Sequence, residues 1–220
     1  MRTIRVTGKG ALSIAPDTMS LSIALNGTEK EYMQAMKKSS EDTRTLRKAV
    51  TALGFEETDL KTAGFTIDAD YEGYQEDGVW KQRFKGYRYY HSMTLEFPSD
   101  SDRLGKILYA LADSGTAPEC HIAFTVSDKE KAKKLLLACA VQDAADKAKI
   151  LAEASGVTLG AIETIDYSSV SLNFYTRPME SALMAKSMMV NEEAADCFDL
   201  GVNPNDVRLE EDVTVIWEIA

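Results

Sequence analysis

The sequence predicts an α+β fold of mostly antiparallel sheets with helices packed on one side. Apolar and polar residues alternate in short segments, for example from Tyr87 to Phe97, as in strands with one packed and one wet face. Three longer segments have helical periodicity, and each is followed by a glycine. The elements follow the order β-α-β-β in both halves, which predicts two similar lobes within one domain of residues 1–220.

The first lobe is expected to cover residues 1–115. It contains a strand at 18–27, a helix at 28–53 and strands at 62–72 and 84–97. Thr28 and Glu31 have the spacing of a capping box at the start of that helix. A shorter helix is expected to begin near Ser101 and to end before Gly115.

The second lobe is expected to cover residues 116–220, with a strand at 117–126, a helix at 127–155 and strands at 158–168 and 206–220. Ser127 and Glu130 predict a second capping box. Cys139, among alanines, is expected to be a small buried residue. The inner face of this helix is rich in alanine, which allows close approach to a sheet, and comprises Ala132, Leu136, Ala140, Ala144, Ala148 and Leu151.

A long insertion, residues 169–205, separates the last two strands and exceeds the usual length of a hairpin loop. Methionine packs well against irregular surfaces, and an acidic run from Glu192 to Asp199 follows the methionines. We therefore predict an interface for a homo-oligomer or an unidentified protein partner. The alternative is a flap that fills the edge of its own core. The interface residues predicted are Met179, Met184, Met188 and Met189.

The composition excludes several classes of protein. A net charge of -10 argues against binding to nucleic acid or to anionic membranes. No segment has the length of a membrane span, so no membrane insertion is expected. Strand-like sequence begins within a few residues of Met1, without a leader pattern. The chain as given is therefore expected in the cytoplasm, or in the periplasm or outside the cell if a signal was trimmed.

Two short motifs resemble ligand sites. Gly8-Lys9-Gly10 follows a strand, but a second strand and not a helix comes after it, so we expect a bend or bulge and no nucleotide cofactor. The segment KGYRYYHS (85–92) partly matches an RNA-recognition signature, and single-stranded nucleic-acid binding by the 80–90 hairpin stays an alternative. Alternation alone explains Tyr87 and Tyr89 as core residues.

No catalytic constellation is evident. His91 shares an apolar face with Met93 and is expected to be a hydrogen-bonded core residue, whereas His121 is expected to face water. No His or Cys spacing predicts a metal site. A face formed by Asp68, Asp70 and Glu72 is interpreted as solvated rather than as a cation site. We expect no enzyme activity; the alternative is a ligand-binding or hydrolytic enzyme with its site under the 169–205 loop.

Five segments in this order resemble the SIMPL-domain family, long labelled a domain of unknown function. Its members include bacterial periplasmic immunogenic proteins and a eukaryotic protein that associates with a receptor-linked kinase. The resemblance covers almost the whole chain. The segments are VTGKGALSIAPD, DLKTAGFTIDADYE, GYRYYHSMTLEF, AVQDAADKAKILAEASGVTLGAIETI and PNDVRLEEDVTVIWEI.

The resemblance implies an α+β fold, no known enzymatic activity and, in some bacterial members, ring- or channel-like oligomers. It offers no catalytic residues. Many bacterial relatives carry a signal peptide that is absent here, and the usual Pro-Gly before the last strand is Pro204-Asn205. The signature positions are expected to be turn and packing residues: Gly8, Gly10, Pro16, Asp17, Thr62, Gly86, Tyr87, Ala144, Ala148, Gly156 and Pro204.

Overall fold

The computed structural model describes residues 2–167, 172–176 and 204–220. The α+β fold class is confirmed, with antiparallel pairing in two sheets. The elements are β1 (Arg2–Ile14), β2 (Thr18–Glu29), α1 (Tyr32–Thr51), β3 (Leu60–Glu76), β4 (Val79–Pro98), α2 (Ser101–Asp113), β5 (Glu119–Thr125), α3 (Lys129–Ala154), β6 (Leu159–Asp166) and β7 (Val207–Ile219).

The chain forms two compact units. Among the described residues, the first unit contains 2–17, 124–167, 172–176 and 204–220, and the second contains 18–123. The predicted element order recurs as β2-α1-β3-β4 and β5-α3-β6-β7. Strand β1, however, pairs with β7, so the N-terminal strand belongs to the same unit as the end of the chain. The units therefore divide the chain differently from the predicted lobes at 1–115 and 116–220.

The first unit is a sheet with strand order β1-β7-β6, against which α3 packs. Leu151, predicted to face inward, is exposed because Ala152 takes the inward position. Cys139 was also predicted to be buried and is exposed, since it lies about 100° around the helix from buried Ala140. The other predicted inner-face residues are buried: Ala132, Leu136, Ala140, Ala144 and Ala148.

The prediction of a bend at Gly8-Lys9-Gly10 is wrong, because β1 runs through these residues in regular register with β7. The glycines instead allow α3 to approach closely. A Cβ on Gly8 would lie 2.1 Å from the Ala140 carbonyl oxygen, and one on Gly10 would lie 2.3 Å from the Leu136 carbonyl oxygen. The motif is therefore a packing device for the helix.

Side chains of α3 also protect the outer edge of β1. The backbone N–H of Lys9 donates to Asp143 Oδ2 at 2.7 Å, and Lys147 Nζ contacts the Thr7 carbonyl oxygen at 3.5 Å. Hydrogen bonds from Lys147 and from the Lys9 N–H hold the pKa of Asp143 below its usual value. These contacts occupy backbone groups that an edge strand otherwise offers to another chain.

Both predicted capping boxes are wrong, although the helices lie close to their predicted positions. Thr28 lies in β2, where it pairs with Arg88 of β4. Helix α1 begins at Tyr32 without a side-chain cap. In α3 the N-cap is Asp128, which accepts from the Lys131 N–H. Ser127 donates its N–H and its hydroxyl to Asp17 instead.

The second unit contains a sheet with strand order β3-β4-β2-β5, and α1 covers one face of it. The carboxylate of Asp42 is buried on the inner side of α1. It accepts a hydrogen bond of 2.7 Å from the Tyr89 hydroxyl, and Lys38 Nζ lies 2.8 Å from its other oxygen. Burial and this carboxylate raise the pKa of Tyr89 far above its usual value, so the hydroxyl remains the donor.

One part of the predicted insertion belongs to the core of the first unit. Phe174 is buried with Val126, Leu136, Val207 and Leu209. Hydrogen bonds between Thr176 and the backbone of Phe124 fix this segment beside β5. Residues 172–176 are therefore structural.

Candidate functional site

The most prominent surface feature is the outer half of the β3–β4 hairpin, residues 71–84, which we call the ribbon. Strand β2 pairs with β4 only from Tyr87 onward, so in the described structure the ribbon has two strands and no third. Its turn is Asp77-Gly78, and both residues have positive φ, 54° and 77°. Such two-residue turns match the twist of a hairpin.

The ribbon has one uncharged, aromatic face. Residues that lie directly opposite each other in the two paired strands are on the same face of the ribbon. In three such pairs neither residue is charged. The Trp80 side chain lies over Gly73, where a Cβ would be 3.9 Å from its ring. We call this surface the aromatic face, and it consists of Tyr71 with Phe84, Gly73 with Gln82 and Gln75 with Trp80.

A β-bulge places these aromatic residues on one face. The register shifts between Asp70 and Tyr71, which leaves Lys85 as an extra residue on β4. Without the bulge, strict alternation would place Lys85 and Arg83 on the side of Tyr87. With it, the Phe84 ring lies 5.3 Å from Tyr87 and 5.7 Å from Tyr71.

The aromatic face continues the surface that α1 covers elsewhere in the sheet. The Tyr87 ring also contacts Tyr32, in the first turn of α1, at 5.6 Å. Beyond that helix end the face is open to solvent. Trp80 is 76% exposed, Tyr71 57% and Phe84 49%.

The opposite face of the ribbon carries charges that neutralise one another. Arg83 pairs with Glu72, and Lys81 Nζ lies 2.7 Å from Glu76 Oε2. Arg83 also lies over the Tyr74 ring at 5.8 Å. The ribbon is thus amphipathic, with a paired-charge face and an aromatic face.

The acidic strand face at Asp68, Asp70 and Glu72 differs from the prediction at one position. Asp70 was expected to be solvated but is only 7% exposed, because Arg88, Lys85 and Thr28 surround its carboxylate. The hydrogen bond from Arg88 holds the pKa of Asp70 below its usual value. No group of three or more His, Cys, Asp or Glu within the described ranges is placed to hold a metal ion.

The two histidines lie where the sequence predicts. His121 is exposed, and His91 is half-buried and hydrogen-bonded. Thr43 donates its hydroxyl to the Ser39 carbonyl, so it accepts from His91 Nδ1 at 2.9 Å. His91 Nε2, 3.2 Å from the Thr62 hydroxyl, is then the acceptor. Burial, with a smaller effect of Arg47, lowers the pKa of His91 below its usual 6.5.

This environment predicts a pH dependence of stability. In the unfolded chain His91 becomes protonated near pH 6.5, whereas in the folded protein it stays neutral to a lower pH. Between the unfolded and the folded pKa, the unfolded state therefore binds more protons than the folded state. We expect the free energy of unfolding to fall as pH decreases below 6.5. Urea unfolding from pH 7.5 to 5.5 should show a shallower pH dependence in His91→Gln than in the control His121→Gln. Equal dependence in both variants would contradict this assignment.

The predicted methionine interface, Met179, Met184, Met188 and Met189, lies outside the described residues, as does the acidic run from Glu192 to Asp199. Their role stays a prediction. Sequence reasoning missed the ribbon because alternation was followed only from residue 84 onward. None of the described helices combines the length and apolar character needed to span a membrane.

Comparisons with known proteins identify a family and several relatives of this chain. The family model of SIMPL, described as "Protein of unknown function (DUF541)", matches residues 4–217. The "26 kDa periplasmic immunogenic protein" of Brucella melitensis biotype 1 is 28% identical over 164 residues, which is 74% of this chain and 65% of that protein. The "Uncharacterized protein YggE" of Edwardsiella ictaluri is 26% identical over 191 residues, 86% of this chain and 76% of that protein.

The match thus spans just under two thirds of the length of the Brucella melitensis protein, and a Brucella abortus protein of the same name gives the same coverage. The family model covers almost the whole chain, including both glycines that β1 presents to α3 and the entire ribbon. The chain belongs to the SIMPL family.

Proposed function

We propose that this protein acts without catalysis, by self-association in which a second copy packs on the aromatic face of the ribbon. The exposure of Trp80, Tyr71 and Phe84 on one uncharged surface is the observation that supports the proposal. Full burial of a Phe-sized side chain is worth about 1.5–3 kcal/mol. A contiguous aromatic surface of this kind is typical of a protein interface.

Electrostatic repulsion opposes a second copy least at this surface. Two chains that each carry a net charge of -10 repel one another. The ribbon has three acidic and two basic side chains, and its aromatic face has none, so the repulsion is weakest there. Tryptophan and tyrosine are also the residues most often found at interface centres.

The open edges of the ribbon offer a way to extend such an assembly. Along the described chain, β3 is the edge strand of its sheet and β4 has no outer neighbour before Tyr87. A contact between unlike edges is head-to-tail, and such contacts close into rings when the rotation permits. The proposal agrees with the ring-like oligomers that the family resemblance implies.

The two tryptophans provide a direct test. Trp80 is 76% exposed and Trp217 only 4%, so acrylamide quenches chiefly Trp80 in the monomer. We expect quenching to decrease and emission to shift to shorter wavelength as protein concentration rises. Tyr109→Gln removes an exposed aromatic side chain of α2 outside the ribbon, 61% exposed in the wild type. It serves as the surface control, and its quenching should depend on concentration as in the wild type. Concentration-independent quenching would oppose the proposal.

The nucleic-acid alternative receives no support from the charges of the hairpin. Lys81, Arg83, Lys85 and Arg88 each lie within 4 Å of a carboxylate. Phosphate binding would have to displace these partners. The absence of nucleic-acid binding therefore stays our prediction.

The names of the Brucella relatives support an exported location for this protein as well. A cytoplasmic location is the alternative, and cell fractionation distinguishes the two.

A further inference from the structure

The second unit, which contains the ribbon, has another surface with the chemistry of a ligand site. An open groove of about 650 Å³ lies between α1 and the strands beside it. Its size is that of small-molecule sites, which span about 300–1,000 Å³. The lining residues used below are Met36, Ser40, Arg44, Arg47, Lys48, Phe65 and His91.

One wall of the groove is cationic. Arg44, Arg47 and Lys48 are three and four residues apart on α1, so they project from neighbouring positions on one side of the helix. Glu57 is the one carboxylate in the lining, and the guanidinium of Arg47 donates to the Glu57 backbone carbonyl. Within the described structure no carboxylate pairs with Arg44 or Lys48. The lining thus has three cationic side chains and one carboxylate, although the whole chain has a net charge of -10.

The strand side of the groove is apolar, because Phe65 of β3 is 46% exposed there. Met36 is 40% exposed and adds apolar surface on α1 itself, eight residues before Arg44. The His91 ring contacts Phe65 edge-on at 5.2 Å, and both ring nitrogens are hydrogen-bonded to Thr43 and Thr62. The imidazole therefore supports the floor and is not available as a nucleophile or base.

We propose that this groove binds a small organic anion whose phosphate or carboxylate lies between Arg44 and Lys48 and whose apolar body lies on Phe65. Guanidinium groups match both anionic headgroups in geometry and charge. The Ser40 hydroxyl, also in the lining, adds a neutral donor. This site is separate from the ribbon's aromatic face and does not depend on self-association.

Calorimetric titration with phenyl phosphate, benzoate, benzyl alcohol and inorganic phosphate tests the proposal. We expect saturable one-to-one binding of phenyl phosphate or benzoate, and the stronger of these identifies the headgroup. Benzyl alcohol lacks the charge and inorganic phosphate lacks the apolar body, so both should bind at least tenfold more weakly.

The variant Arg44→Gln/Lys48→Gln should weaken the preferred anion at least tenfold without changing the thermal midpoint, because both side chains are exposed. The control Lys106→Gln/Lys134→Gln removes two exposed lysines outside the groove and should bind like the wild type. Absence of saturable binding, or equal losses in the two variants, would overturn the proposal. Arg44→Gln/Lys48→Gln should self-associate like the wild type. Loss of anion binding in this variant is therefore distinguishable from a failure of self-association through the ribbon.

Discussion

Replacing Gly8 with alanine is expected to lower the free energy of unfolding by about 3 kcal/mol. The added Cβ would lie 2.1 Å from the Ala140 carbonyl oxygen and 2.4 Å from the Ala144 nitrogen. Both are backbone atoms of α3, so relief requires the whole helix to move away from the sheet. That movement also loosens the contacts of Val6, Val213 and Val215 with the helix.

Gly73→Ala is the matched control, because it is also a strand glycine but its new Cβ would come no closer than 3.9 Å to Trp80. Its stability should stay within about 0.5 kcal/mol of the wild type. Urea unfolding monitored by circular dichroism measures both variants. Equal stability of Gly8→Ala and the wild type would show that α3 does not pack this closely on β1.

Tyr89→Phe is expected to cost about 2 kcal/mol of stability. The hydroxyl of Tyr89 donates to the carboxylate of Asp42, a residue that is only 6% exposed. Without that donor one carboxylate oxygen is left buried and unpaired, and the remaining contact is with Lys38. The loss therefore exceeds that of an ordinary surface hydrogen bond.

Tyr90→Phe removes the same atom from the neighbouring residue, which is 45% exposed and faces away from Asp42. We expect that variant to be as stable as the wild type. Thermal unfolding of the pair measures the difference. If both substitutions have the same effect, the buried hydrogen bond does not stabilise the fold.

The sequence predicted the fold class and nearly every element because alternation and helical spacing are local signals. The inner face of α3 was predictable from the spacing of its alanines, of which Ala132, Ala140, Ala144 and Ala148 are buried. The role of Gly8 was not, because a glycine beneath a helix and a glycine at a bend have the same local pattern. Only the tertiary packing distinguishes them.

The polar core and the ribbon were harder to predict for related reasons. Asp42 is buried on α1 because Tyr89, distant in sequence, supplies its partner. The aromatic face depends on the bulge at Lys85, which reverses the alternation of β4, and no spacing in the sequence marks it. In the sequence, Arg44 and Lys48 resemble the solvated face of an ordinary helix. Only the fold shows that apolar Phe65 lines the same groove.

The central claim is that the aromatic face of the ribbon holds copies of the chain together. Light scattering of the wild type and of Trp80→Gln/Phe84→Gln over a range of protein concentrations tests it most directly. Both replaced side chains are about half exposed or more, so the fold should persist in the variant. We expect a wild-type mass that is a multiple of 24.2 kDa and a variant mass equal to that of the monomer. A monomeric wild type at high concentration, or a folded variant that stays fully assembled, would contradict it.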